Sequence, residues 1–131
     1  MEERMNEATR NRPEGDRIID AAMVEIDLNQ YITQLKSEEA WLNSQRNAIT
    51  LFKTDAMRIV MIGLHAGGSL PEHKAEGIIS VQVLKGHIRF IVGDDEKKLV
   101  EGHMLTLHEK IPHTVVAVEE SVFLLTMALK K

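Results

Sequence analysis

GGSLPEHKAEGIISVQVLKGHIRFIVGDDEKKLVEGHMLTLHEKIPHTVVAVEESVFLLTM, residues 67–127, is the stretch on which the architecture of this chain turns. Short apolar runs alternate there with Gly, Pro and Asp turns at close intervals, the pattern of a small antiparallel sandwich or barrel. Strands are expected at Gly77–Leu84, His87–Val92, Lys97–Val100, His103–Leu107, His113–Val118 and Val122–Ala128. Short connections such as GDDEK, HEKIP and VEES suit hairpins. Ala66–Pro71 reads as a turn, and His73 and His113 lie at matching places beside turns.

Upstream, the periodicity changes twice. Arg46–Phe52 and Ala56–His65 read as strands separated by Lys53-Thr54-Asp55. The second, AMRIVMIGLH, is nearly continuous apolar sequence and calls for cover on both faces. Between Asn29 and Asn43, the spacing of Ile32, Leu35, Glu39, Trp41 and Leu42 fits one or two short helical turns, with a helix start at Ser37. Trp41 is expected to plug an apolar gap. Val24, Ile26 and Leu28 alternate with Glu25, Asp27 and Asn29, as on a half-buried strand within Ile18–Leu28. Residues 1–16 read as a mobile polar arm, and residues 17–131 as one domain.

Composition narrows the function classes. The chain has 131 residues, of which 44% are apolar, enough for a single core without staples. It has no cysteine, which excludes disulfides, zinc ribbons and thiol nucleophiles. The net charge is -4 and only five residues are aromatic, so the basic, aromatic-studded surface of a nucleic-acid binder is missing. The opening MEERMNEATRNRPEGDR lacks the apolar core of a secretory signal, and no apolar run reaches the length of a membrane span. A cytoplasmic protein with neither nucleic acid nor membrane as partner is the expectation.

Two spacings within residues 67–117 resemble the cupin family. Its first motif runs Gly, five residues, His-any-His, three or four residues, Glu, six residues, Gly. Here Gly67, His73, Ala75, Ile79 and Gly86 occupy that frame, with Ala75 in place of the second His and Ile79 in place of the Glu. The second motif runs Gly, five residues, Pro-any-Gly, two residues, His, three residues, Asn. Gly102, His108, Lys110, His113 and Ala117 occupy it, and only Gly102 and His113 keep the family's residue types. The resemblance implies an all-β fold: a small antiparallel barrel, or double-stranded β-helix jelly roll, with a short N-terminal helical segment. It also implies that His73 and His113 are what remains of a family metal site built from three His and one Glu.

From the residues themselves, two imidazoles on separate strands suit a divalent ion such as Zn, Fe, Ni or Mn, weakly held because a third protein ligand is usual. His65 and His108 stand in reserve as that third ligand. His87 alternates with Ile88 and Phe90 and is expected to point outward if those two fill the barrel. Ala75 and Ile79, with Val81, Val83, Phe90, Val115 and Met127, suggest a small apolar pocket with His73 and His113 on its wall, and Gln82 and Phe90 as further ligand contacts. Three functions follow as expectations: a small-molecule-binding barrel, a metal-dependent enzyme of dioxygenase or isomerase type, or a ligand-free structural or regulatory dimer. A homodimer is expected because Arg58–Leu64 and Val24–Leu28 carry apolar side chains for which a partner subunit would be the economical cover.

Overall fold

The computed structural model describes residues 4–6 and 17–129. The helical segment comes as two pieces, α1 (Leu28–Ser37) and α2 (Glu39–Asn43). Asp27 caps α1: its side chain accepts a hydrogen bond from the backbone N–H of Gln30 at 3.1 Å, satisfying one of the first-turn donors that a helix leaves without partners. Ser37 therefore ends a helix instead of starting one, and Glu38 takes the junction.

Among the described residues there are also eleven strands. They are β1 (Arg4–Asn6), β2 (Arg17–Asp20), β3 (Arg46–Lys53), β4 (Met57–Leu64), β5 (Ser69–His73), β6 (Ile79–Lys85), β7 (His87–Val92), β8 (Asp95–Val100), β9 (Met104–Leu107), β10 (His113–Ala117) and β11 (Ser121–Ala128). β1 and β2 pair alone. The others form two antiparallel sheets, ordered β3-β4-β11-β6-β9 and β5-β10-β7-β8. These two sheets, with crossovers between them, are the double-stranded β-helix that the motif spacing implies.

Period-2 alternation divides the central strands of the five-stranded sheet between two cores. From β6, Ile79, Val81 and Val83 point between the sheets, where they meet Ile62 and Leu64 of β4, Phe123 of β11, Ile88 and Phe90 of β7, and Val115 of β10. The other parity of the five-stranded sheet supplies Ile49, Leu51, Met61 and Val122, which pack under Leu35 of α1 and Trp41 of α2. The uninterrupted apolar run of β4 is thus buried on both faces, with the barrel core on one side and the chain's own helices on the other. Asn47 pins that cover: its amide donates to the Leu35 carbonyl and to Glu38 Oε1, both at 2.9 Å. Gly63 permits it, because a Cβ there would lie 2.5 Å from Leu35 Cδ2.

Several expectations change. Residues 24–27 are not a strand but an irregular approach to α1, in which Ile26, with Leu28 beyond it, joins the cluster under the helices. Their alternation reflects two apolar side chains flanking a helix cap. The turn at 66–71 is shorter than expected, since β5 begins at Ser69 and carries Pro71 on an edge strand, where a missing N–H costs no ladder bond. The apolar run of β4 does not by itself call for a second subunit, because α1 and α2 cover its outer face. Of the arm expected over residues 1–16, only Arg4–Asn6 fall within the described residues, as the strand paired with β2. Among the described residues, no helix is long and apolar enough to cross a membrane.

Candidate functional site

The two motif histidines meet. His113 opens β10 and His73 closes β5, and the two are direct partners across these antiparallel strands. Their ring centres stand 4.3 Å apart at an interplanar angle of 58°. On its other side His113 stacks on Phe90 of β7, with centres 5.2 Å apart and planes 12° from parallel. His113 is 3% exposed, whereas His73 lies at the surface. One imidazole is therefore fixed between two rings, and the other flanks it at the opening.

Both rings are oriented by the same local device. His113 Nδ1 lies 2.9 Å from the carbonyl of Ile111, and His73 Nδ1 lies 2.8 Å from that of Pro71, two residues back in each case. A carbonyl can only accept, so each Nδ1 carries the proton and donates it. In the neutral ring Nε2 is then the nitrogen with the lone pair. Neither Nε2 has a hydrogen-bond partner among the described residues. Burial pushes the pKa of His113 below its ordinary value of 6.5; the Ile111 hydrogen bond opposes this, and the nearby charge of His73 adds to it. His113 is accordingly neutral near pH 7.

The motif frame explains how the segments come to lie this way. Gly67, Gly86 and Gly102, its three surviving glycines, all have positive φ. At Gly86 a Cβ would also lie 2.3 Å from the Glu120 carbonyl, so this position requires glycine twice over. Lys110 occupies a glycine place in the frame and keeps glycine's conformation, with φ 61°. Its N–H donates to the Ala75 carbonyl at 2.8 Å, tying the turn before His113 to the segment after His73.

A concavity of 400 Å³ opens beside His73. Ile62, Leu70, Pro71 and Leu125 give it apolar walls, and Arg46 and Glu72 add charge. A smaller one of 230 Å³ lies between the β8 and β9 edges of the two sheets, lined by Phe90, Val92, Leu105, Leu107, Thr106, Asp95 and Lys97. Phe90 is thus both the stacking partner of His113 and part of a cavity wall.

The other candidates are placed elsewhere. Gln82 has the outward parity of β6, alternating with the buried Val81 and Val83, so it cannot reach the barrel interior. His65 follows β4 on the helix-covered side, where it stacks on Trp41 with centres 3.6 Å apart and puts Nε2 2.8 Å from the Trp41 carbonyl. His108 lies in an exposed turn, 3.7 Å from Glu109. His87 points away from the barrel core, as its alternation with Ile88 and Phe90 implies. Among the described residues, no three His, Cys, Asp or Glu side chains come together as a metal-holding group. Two imidazoles, with Ala75 and Ile79 at the other frame positions, fall short of the three protein ligands that a tightly held ion needs. The donor set does not fit the family's metal. Arg46, which sequence reading passed over, enters the site because β3 brings its first residue to the rim; its spacing from either motif gave no hint of this.

No protein-family model matches the chain, and no curated protein sequence does. Solved structures do. An RmlC-like cupin protein from Desulfovibrio desulfuricans shares 28% identity with a TM-score of 0.60, covering 65% of this chain and 83% of its own. A conserved protein of unknown function from Streptococcus pyogenes shares 25% identity with a TM-score of 0.68, covering 86% and 92%. The polyketide cyclase RemF from Streptomyces resistomycificus shares the fold at 18% identity, with a TM-score of 0.59 and coverage of 66% and 67%.

Proposed function

We propose that this chain, which shares the fold of solved cupin structures and keeps the spacing of the two motif frames without most of their ligands, binds a small molecule at the open end of the barrel, anchored by His73 and His113. The observation that carries this reading is the shared orientation of the two rings. Each spends its Nδ1 proton on a backbone carbonyl, which leaves both Nε2 atoms without a partner among the described residues, with His73 on the wall of an apolar concavity and His113 in ring contact behind it. Few polar groups converging on apolar walls is the usual make-up of a small-ligand site. The acceptors select a ligand with hydroxyl or amine hydrogens to donate, and Phe90 holds the deeper ring in place. Catalysis through a resident metal is not favoured, since the side chains that would complete the shell are Ala75 and Ile79.

The test is a small-molecule screen read on protein labelled with 15N at histidine. Both rings should show the Nδ1–H tautomer when free, and a true ligand should shift the Nε2 resonances of His73 and His113 together. Ligands that move only His65, His87, His103 or His108 would count against the site.

A further inference from the structure

Resting on that binding reading, we infer that the ligand carries a single carboxylate, and that Arg46 is its seat. Arg46 is the first residue of β3, an edge strand, and lines the same concavity as His73. Its guanidinium has no hydrogen-bond or ion-pair partner among the described residues. In its neutral form an imidazole whose Nδ1 proton is already donated offers only an acceptor, and a carboxylate is itself acceptor-only, whereas a guanidinium is always charged and donor-only. An anionic group in this concavity therefore goes to the arginine, whose planar fork matches a carboxylate's two oxygens.

The walls define the rest of the ligand. Ile62, Leu70 and Leu125 lie in the concavity that Arg46 and His73 share, so the body of the ligand is apolar. Glu72 lines the same space and sets a negative charge against any ligand with a second one, which disfavours a phosphate dianion. The predicted class is an amphipathic monocarboxylate, its acid group at Arg46 and a hydrogen-bond donor at His73.

The probes are hexanoate, 6-hydroxyhexanoate, hexanamide and hexyl phosphate, titrated against the full chain and followed by chemical-shift changes at His73 and along β3. The carboxylates should bind more tightly than the amide and the phosphate, and the hydroxy acid should bind most tightly. Arg46→Gln should weaken carboxylate binding roughly tenfold or more while leaving hexanamide unchanged, and Arg46→Lys should fall between. An unchanged melting temperature in both variants shows that the barrel is intact. Equal binding of hexanoate and hexanamide, with His73 responding, would overturn the carboxylate assignment and leave the binding site standing. Carboxylate binding that ignores Arg46→Gln would also overturn it. No response at His73 or His113 to any of the four would overturn the assignment and count against the binding reading too.

Discussion

Two pairs of rings on opposite faces of this molecule look alike and are chemically unlike. On the outer face of the five-stranded sheet, His65 stacks on Trp41 and gives its Nε2 proton to the tryptophan's own carbonyl. At the barrel opening, His113 lies between Phe90 and His73, and both histidines give up Nδ1 instead. The first pair closes a seam between a helix and a sheet, with its Nε2 spent inside the fold. The second leaves both Nε2 atoms without a partner among the described residues. Ring contact alone does not mark a functional histidine; the nitrogen that the fold leaves over does.

The largest effect should come from the outer pair. Trp41 is 5% exposed and sits over Met61 and Val122. Trp41→Ala should cost about 3–5 kcal/mol of unfolding free energy, because it empties the contact that covers β4. Urea denaturation measures this directly. A loss below about 1 kcal/mol would mean that the helices contribute little cover, and would revive the case for a subunit contact there.

The inner pair should respond the other way, in binding more than in stability. His73→Ala removes an exposed ring and should move stability by no more than about 0.5 kcal/mol. His113→Phe keeps an aromatic ring against Phe90 and should cost about 1 kcal/mol or less, the tolerance expected of a near-isosteric core change. Both should abolish the ligand-induced shifts at the remaining histidine. If His113→Phe unfolded the barrel, the inner pair would be as structural as the outer one and the contrast would fail.

Acid sharpens the comparison further. Burial holds the pKa of His113 below its ordinary 6.5, against the opposing Ile111 hydrogen bond. The unfolded chain therefore takes up a proton first as pH falls. Stability from this group is fully present above about pH 6.5 and is lost as pH drops through the lower folded value. The melting temperature should decline over that window in the wild type and decline less in His113→Phe. Equal slopes would place the acid sensitivity elsewhere.

Much of this could be read from residues, and what failed did so for definable reasons. Every strand from β6 to β11 falls within a few residues of its expected place, because period-2 alternation and turn chemistry are local signals. The meeting of His73 and His113 also followed, since glycines at fixed spacing set the turns that bring β5 and β10 into register. Facing was harder. Gln82 sits in an apolar strand buried on both sides, so its parity became visible only once Val81 and Val83 were seen to fill the barrel. His65 at the end of β4 posed the same problem. Val24–Leu28 misled because alternation over so few residues cannot distinguish a strand from the approach to a capped helix.

The smallest effect concerns Lys110, where the frame persists without its residue. At φ 61° a side chain with a Cβ pays about 1–2 kcal/mol for the left-handed conformation. Glycine removes that strain but frees the unfolded chain, returning about 0.4–1 kcal/mol. The Lys110 N–H bond to Ala75 is a backbone contact and survives the change. Lys110→Gly should therefore raise stability by about 0–1.6 kcal/mol, read as a small increase in the urea midpoint, with the chemical shifts of His73 and His113 unmoved. A clear loss of stability, or a shift in either imidazole, would show that the lysine side chain itself holds the opening in shape. The difference between the two faces would then rest on more than hydrogen-bonded rings.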